Sequence, residues 1–390
     1  MLITHIILAT VAVGALALRP QSTPAMVVAS MAGLVDVFLG APALSALAVI
    51  LPLVGFLTAA LTLASPVERS GLAERAACTL AAAGRGRALA LYVLVCGVCA
   101  LATAAVSLDG AVVLMIPLLV ILARRFDAPF TPLFLGVVVV ANAASIAVPQ
   151  GNPTNLVIIN RLGLSTGTFL GHMLLPGIAA AVACAACVAL SQRRALASGL
   201  RTAARLRTPL SPGERHAAIS LAAAATIAWV APIVGIAPWW PFSAAVAVAL
   251  AVALAARRER PQLIIPWRIA LQVGGLLIVI QALGLTVRAS GVAGLPGLLA
   301  IAAAIGAASA LANNLPVSVC ATGLLTAGAS AYAASVGLAV GSLAAPQGSV
   351  ATLIASRLAG STAPPLRVRC FAPLAAAGVL AATLVLSVNP

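Results

Sequence analysis

Apolar blocks, most of them close to the length that crosses a lipid bilayer, follow one another along this 390-residue chain. Hydrophobic residues make up 63% of the sequence and charged residues 7%, whereas roughly a quarter of a soluble domain is charged. A helix needs about 20 apolar residues to span the hydrocarbon core, and the charges here lie mainly between the blocks. The sequence therefore predicts an all-α polytopic membrane protein that is surrounded by lipid.

The order of the blocks predicts about ten transmembrane helices. Two pairs of blocks are joined by a polar notch without a loop, at Asp109-Gly110 and Asn313-Asn314, which predicts two re-entrant hairpins. The first block lacks a basic leading segment, so we interpret it as a span and not as a cleaved signal peptide. The remaining predicted spans are 2–18, 25–40, 43–65, 131–148, 168–191, 217–234, 241–256, 269–287, 332–358 and 371–388.

The two halves of the chain carry the same landmarks in the same order. "VERSGL" at 67–72 resembles "VRASGV" at 287–292, and "AVPQGNPTNLVI" at 147–158 resembles "AAPQGSVATLIA" at 344–355. Because each half has five predicted crossings, the second half is inverted. We predict a first repeat at 1–191, a basic linker at 192–216 and a second repeat at 217–390.

The arginines indicate the orientation. With the linker cytoplasmic, every basic residue except Arg161 and Arg288 falls on the inner side. This distribution explains the net charge of +15 without a nucleic-acid partner. We therefore expect a multi-pass protein of the inner (cytoplasmic) membrane with both termini outside.

Four polar segments interrupt the apolar blocks at membrane depth, two in each repeat: Asp109-Gly110, 149–155, 313–316 and 346–349. Backbone groups freed by a helix break cost several kcal/mol each in hydrocarbon, so such breaks persist where protein, water or a ligand satisfies them. Each break is followed by a new helix N-terminus, which favours an anion or an oxygen-rich solute. We expect Asp109 and Asn314 to be helix N-caps, with or without a ligand contact.

These segments supply the candidate site. Asp109 is the only acid predicted near the midplane, which makes it a candidate carrier of a proton or a cation. His172 is a second titratable candidate, although a lone histidine near a span end is more often an interfacial hydrogen-bonding residue. We predict no resident cofactor; a sodium site near Asp109, Asn152 and Asn155 stays open. The candidate residues are Asp109, Gly110, Gln150, Asn152, Thr154, Asn155, Asn313, Asn314, Gln347, Ser349 and Thr352.

The motifs "SLDGAVVLMIPLLV", "ANAASIAVPQGNPTNLVIINRLGL" and "ANNLPVSV" resemble those of the ion transporter superfamily, particularly its arsenite permease branch. The resemblance covers essentially the whole chain. It implies efflux of arsenite or antimonite by an ion-coupled, elevator-type secondary transporter. The sibling branches imply sodium-proton exchange or sodium- or proton-coupled uptake of citrate or a dicarboxylate. The "GNPTN" loop is more similar to the carboxylate branch than to typical arsenite permeases.

Other functions remain as alternatives. No HExxH motif and no pair of membrane acids supports an intramembrane hydrolase, so we expect no enzyme activity, and a passive channel is a third alternative. The predicted partners are the lipid bilayer and a small solute or ion. The sequence is compatible with a homodimer and, for an arsenite-type transporter, with an ATPase partner.

Overall fold

The computed structural model describes residues 2–19, 22–44, 46–48, 50–51, 54–55, 58, 70–200, 209–233, 265–283 and 294–388. The predicted span 241–256 lies outside these residues, as does most of the predicted span 43–65. Within the described ranges the chain is α-helical and has no β-strand.

The helices follow the predicted blocks closely, and short 3-10 turns occur at the breaks. They are α1 (Leu2–Leu18), α2 (Thr23–Phe38), α3 (Leu72–Ala83), α4 (Ala88–Ala105), α5 (Leu108–Phe126), α6 (Phe130–Ala144), α7 (Pro153–Leu162), α8 (Thr166–Ser191), α9 (Arg193–Leu196), α10 (Pro212–Ile233), α11 (Trp267–Ala282), α12 (Gly294–Ala312), α13 (Asn314–Leu324), α14 (Ala329–Ala339), α15 (Val350–Ala359) and α16 (Val368–Val388).

Five helices in the described part of the chain are long and apolar enough to cross a membrane: α4, α6 with its following turn, α8, α12 and α16. Helices α1, α2, α11, α13 and α14 are also apolar but shorter. The prediction of an all-α polytopic membrane protein is therefore confirmed.

Two repeats are visible in the order of the elements. The hairpin α4–α5, the broken helix α6–α7 and the long helix α8 correspond to α12–α13, α14–α15 and α16. Helices α8 and α16 pack against each other in opposite directions, because Cys184 Sγ contacts the Leu374 carbonyl oxygen at 3.3 Å while Ala180 lies beside Gly378. Equivalent helices that run antiparallel are the signature of an inverted repeat.

Three apolar clusters organise the packing of the described residues. The largest joins the first hairpin, α12, the broken helices, α8 and α16. A second joins α7, α12, α13 and α14. The third joins α1, α2 and α11 and also includes Val157 of α7 and Val319 of α13. Helices α2 and α11 approach closely, since a Cβ added to Gly275 would lie 2.2 Å from the Ala29 carbonyl oxygen. Such small-residue crossings are common between membrane helices.

The helix that follows the predicted linker begins earlier than the predicted span. Helix α10 begins at Pro212 and not at residue 217, because Ser211 and Glu214 form a reciprocal N-terminal cap: the Ser211 N–H donates to Glu214 Oε2 at 2.7 Å, and the Glu214 N–H donates to Ser211 Oγ at 3.3 Å. Glu214 also accepts two hydrogen bonds from the Arg75 guanidinium of α3, at 2.8 and 3.1 Å. The boundaries of the two repeats remain a prediction.

Candidate functional site

The tips of the two hairpins have the same unusual backbone. Ser107 before α5 has φ +134°, and Asn313 before α13 has φ +75°, both in a region that L-residues rarely adopt. Ser107 Oγ accepts from the Gly110 N–H at 3.3 Å, and Asn313 Oδ1 accepts from the Leu315 N–H at 3.2 Å.

The prediction that Asp109 and Asn314 are the N-caps is therefore wrong. The cap lies two residues earlier in the first hairpin and one residue earlier in the second, because the positive-φ residue is the last one outside the helix. The first notch is likewise at Val106-Ser107 and not at Asp109-Gly110. Both Asp109 and Asn314 are buried, and their side chains are not used as caps.

The two helix breaks that contain the sequence Pro-Gln-Gly also match each other. In the first repeat, 3-10 turns at Ser145–Ala147 and Pro149–Gly151 precede α7. In the second, turns at Gly341–Ala344 and Pro346–Gly348 precede α15. A Cβ on Gly151 would lie 2.4 Å from the Ser145 carbonyl oxygen, and one on Gly348 would lie 2.1 Å from the Ser342 carbonyl oxygen. Glycine is required at both positions because the backbone folds back on itself.

Hydrogen bonds hold the amides of the first break in place. Asn152 caps α7 by accepting from the Thr154 N–H at 3.0 Å, and its Nδ2 donates to Ser145 Oγ at 3.2 Å. Asn155 Nδ2 donates to the carbonyl oxygens of Ser145 and Val148 at 2.8 and 3.0 Å. Because both of these carbonyl oxygens are acceptors, the amide nitrogen of Asn155 must face them, and its amide oxygen Oδ1 points to the opposite side.

Each Pro-Gln-Gly turn contacts the hairpin tip of its own repeat. Gln150 Nε2 donates to the Ala104 carbonyl oxygen at 3.1 Å in the first repeat. Asn313 Nδ2 donates to the Gln347 carbonyl oxygen at 3.0 Å in the second. Gln150 is buried, whereas Gln347 is partly exposed.

The repeats also interlock at these breaks. Helix α7 packs against the tip helix α13 of the other repeat, and α15 packs against the tip helix α5. Asn155 and Asn314 therefore lie on neighbouring helices, and both side chains are buried. The structure thus pairs each Pro-Gln-Gly turn with a hairpin tip and packs the adjoining helices of the two repeats against each other, while the role of each residue remains a prediction.

Buried polar atoms without a protein hydrogen-bond partner concentrate here. An unsatisfied buried polar atom costs roughly 1–3 kcal/mol, so a cluster of them indicates a ligand site. Among the described residues eight such atoms occur, and only Asp36 Oδ2 lies elsewhere. The other seven are Asp109 Oδ1, Asn142 Oδ1, Thr154 Oγ1, Asn155 Oδ1, Ser309 Oγ, Ser349 Oγ and Thr352 Oγ1.

Sequence reasoning missed four residues of this region: Ser107, Asn142, Ser145 and Ser309. Asn142 and Ser309 are buried polar residues inside apolar helices, which is itself a signal of a site in a membrane protein. Ser107 accepts a hydrogen bond from the Gly110 N–H, and Ser145 accepts one from the Asn152 side chain. Both contacts depend on turn geometry that the residue type alone does not indicate.

Three titratable residues lie away from this cluster or at its margin. Asp36 is fully buried, and His5 Nδ1 lies 2.7 Å from Asp36 Oδ1, between α1 and α2. Asp36 is in the last turn of α2, so Asp109 stays the only acid predicted near the midplane, but the contact of Asp36 with His5 was not foreseen. His172 contacts the Thr168 carbonyl oxygen at 2.8 Å and stacks on Tyr332. Within the described ranges, no group of three histidine, cysteine or acidic residues could hold a metal ion.

Comparison with known proteins decides the family. The model of the citrate transporter family matches residues 3–352, which include both hairpins and both breaks. The chain belongs to the citrate transporter family. This family is part of the ion transporter superfamily, so the superfamily resemblance is confirmed, while the arsenite permease branch is not. Comparison with curated proteins gave no match. As a citrate transporter family member, the chain is a secondary transporter and a multi-pass membrane protein.

Proposed function

We propose that this protein moves a small carboxylate of the citrate or dicarboxylate type across the membrane together with a cation, sodium or proton. The observation that carries the proposal is the set of seven unpartnered buried polar atoms at the four helix breaks of a citrate transporter family member. Breaks of this kind persist where a solute satisfies them.

The unpartnered atoms of the first repeat favour a cation. Three of these four atoms, a carboxylate oxygen of Asp109 and the amide oxygens of Asn142 and Asn155, can only accept hydrogen bonds or coordinate a positive charge; the fourth, the hydroxyl oxygen of Thr154, can accept or donate. Sodium is a hard cation that prefers oxygen ligands, and a proton on Asp109 would turn the carboxylate into a donor. This chemistry supports a coupling-ion site near Asp109 and Asn155, with Asn152 shaping the loop.

The unpartnered atoms of the second repeat favour an anion. The hydroxyl groups of Ser309, Ser349 and Thr352 can donate to a carboxylate oxygen. The N-termini of α13 and α15 add backbone N–H groups and a positive dipole end. Thr352 occupies the place that Asn155 has in the first repeat, so the two halves offer different chemistry.

Coupling follows from the charge of the site. None of the candidate residues is basic, and Arg161, at the end of α7, is exposed. A di- or tricarboxylate would therefore meet Asp109 without a cationic side chain to offset the repulsion. A bound cation, or a proton on Asp109, supplies the missing positive charge and makes uptake of the anion depend on it.

The packing supports an elevator-type movement. The hairpins, broken helices, α8 and α16 form two apolar clusters with each other, while α1, α2 and α11 form another. The two groups of helices meet at apolar residues, among them Val13, Val157 and Val319. We propose that the hairpins, broken helices, α8 and α16 move as a unit against the α1–α2–α11 group. We also propose that the protein lies in the inner membrane with both termini outside. A cysteine introduced at position 201 that can be labelled from the outer side would contradict this orientation.

The other functions have less support. The arsenite interpretation rests on the motif resemblance alone, whereas the family match favours its carboxylate alternative. Sodium-proton exchange would use the first-repeat acceptors but would leave the hydroxyl groups of the second repeat without a role.

A panel of solutes tests the proposal. The full-length protein, purified in detergent, is heated with citrate, succinate or arsenite, and the sodium concentration and pH are varied independently. We expect a carboxylate to raise the unfolding temperature in a sodium- or pH-dependent manner. Stabilisation by arsenite with no response to either carboxylate would refute the proposal.

A further inference from the structure

An arginine patch surrounds the end of α8, outside the proposed transport site. Arg193 and Arg194 follow α8 directly and are exposed. The next segment turns back onto the loop before α4, where the Leu200 N–H donates to the Gly86 carbonyl oxygen at 2.9 Å. An isolated antiparallel bridge also pairs Arg87 with Gly199. We call Arg85, Arg87, Arg193 and Arg194 the arginine patch.

Further positive charge lies at the same end of the bundle. Helix α16 runs antiparallel to α8, so its start, with Arg367 and Arg369, is at the level of the end of α8. The basic side chains of this protein are all arginines, 22 in number. Guanidinium groups bind phosphate oxygens in a two-pronged geometry that lysine cannot provide.

The charges of the patch have no acidic counterpart in the part of the chain that the structure describes. Glu214, on a helix that packs against α4 and α8, is bound by Arg75, and Glu74 pairs with Arg125. None of the described ion pairs uses a residue of the arginine patch. Among the described residues, the patch therefore presents positive charge that no ion pair offsets.

A concavity of about 410 Å³ lies within the patch and is lined by residues 190–195. Its lining changes character along the chain: Leu190 is 70% exposed and faces outward, Ser191 and Gln192 are polar, and Arg193 and Arg194 are cationic. The concavity is an open groove at the end of α8 and not an enclosed ligand cavity.

An apolar stripe leads from the membrane to this concavity. Ile178, Val182 and Leu190 are 49%, 64% and 70% exposed, and with Ala186 they repeat every four residues along one face of α8. Side chains four residues apart lie above one another on a helix. An acyl chain can therefore follow α8 while its headgroup reaches the arginines.

We propose that the concavity and the arginine patch bind the phosphodiester headgroup of an anionic phospholipid. Arg193 and Arg194 contact the phosphate, Arg85 and Arg87 strengthen the local positive potential, and one acyl chain lies along the α8 stripe. Free phosphate shares the headgroup chemistry but lacks the chain, so it would not use the stripe. The proposal is independent of the transported solute.

Native mass spectrometry of the full-length protein tests this site. The protein is titrated with phosphatidylglycerol, with phosphatidylcholine of the same acyl chains, and with inorganic phosphate. We expect preferential retention of phosphatidylglycerol. Arg193→Gln combined with Arg194→Gln should weaken this retention about twenty-five-fold, since each arginine near an anionic lipid contributes roughly a factor of five.

The matched control combines Arg19→Gln with Arg357→Gln, which removes the same charge from two exposed arginines after α1 and within α15. The control variant should retain the lipid as the unchanged protein does. The unfolding temperature in phosphatidylcholine reports whether each variant is folded. An equal loss of phosphatidylglycerol retention in both double variants would show a general effect of charge and overturn the proposal. Retention of inorganic phosphate as strong as that of phosphatidylglycerol would also overturn it.

Discussion

Asn155 shows how single side chains set the chemistry of the proposed site. Its amide nitrogen donates to two backbone carbonyl groups, which leaves its oxygen buried and available to a ligand. Asn160, on the same helix, donates to the Leu156 carbonyl oxygen and lies on the exposed face. The two asparagines therefore form a matched pair, one inside the proposed site and one outside.

Asn155→Ala should weaken binding of the carboxylate or its coupling cation by about 1 kcal/mol or more, roughly fivefold, because a buried polar contact is lost. The shift of the unfolding temperature with citrate concentration measures this change. Asn160→Ala is the control and should leave the shift unaltered. Equal affinities in the two variants would exclude Asn155 from the site.

Asp109→Asn should uncouple binding from the cation, because it removes the only charge of the site while leaving the Ser107 cap in place. We expect carboxylate binding to lose its dependence on sodium or on pH. The same titration at several sodium concentrations and pH values detects the loss. An unchanged dependence would mean that Asp109 has no part in coupling.

At this scale the sequence predicted where polar residues are buried but not how they are bonded. Asn152 and Asn155 could be selected because amides at membrane depth are costly. Asn313 was selected too, but its role as a cap was not, and Ser107 was missed, since positive φ at a serine or asparagine follows from the path of the turn. The partner of Asp36 was missed because His5 is 31 positions away along the chain.

At the scale of elements, the hairpin tips combine an uncommon backbone with a helix cap. Asn313→Ala should lower the free energy of unfolding by about 2–3 kcal/mol, since alanine loses the cap and adopts positive φ at a cost of roughly 1–2 kcal/mol. Asn313→Gly should cost less, because glycine tolerates positive φ and is itself an acceptable N-cap.

Both Asn313 variants lose the hydrogen bond to the Gln347 carbonyl oxygen, so their difference isolates the backbone effect. Thermal unfolding in detergent measures it. An alanine variant as stable as the glycine variant would show that the turn relaxes to negative φ, contrary to the described tip.

The Arg75–Glu214 pair joins α3 to the start of α10 and gives a pH-dependent contribution. The Arg75 guanidinium, helped by the Ser211 N–H, lowers the pKa of Glu214 from 4.5 to about 2. A carboxylate with a lowered pKa stabilises the fold fully above its unfolded pKa and loses this effect as the pH falls. Glu214→Gln should therefore be destabilising near neutral pH, and the difference should shrink between pH 4.5 and 2.

Unfolding temperatures across that pH range test the pair, with Glu74→Gln as control. Glu74 also pairs with an arginine, but both side chains are more than half exposed, so solvent screening leaves little effect. A Glu214→Gln difference that stays constant with pH would mean that the carboxylate charge is not what stabilises this junction.

At the scale of the whole molecule, internal symmetry was the most predictive feature of the sequence. The repeated "PQG" landmarks located both helix breaks. The apolar blocks located the helices, because the length and hydropathy of a segment decide whether it can span the bilayer. The interlocking of α7 with α13 and of α15 with α5 could not be predicted, since it depends on contacts between residues about 160 to 240 positions apart. The earlier start of α10 could not be predicted either, since it depends on a cap whose glutamate also binds Arg75 of α3.

The central claim is that these four breaks form one site for coupled carboxylate transport. Accumulation of labelled citrate in proteoliposomes, with an inward sodium or proton gradient imposed, tests it most directly. We predict that the lumenal citrate concentration rises above the external one and falls back when an ionophore dissipates the gradient. Citrate that only equilibrates across the membrane, or that does not enter under either gradient, would contradict the account.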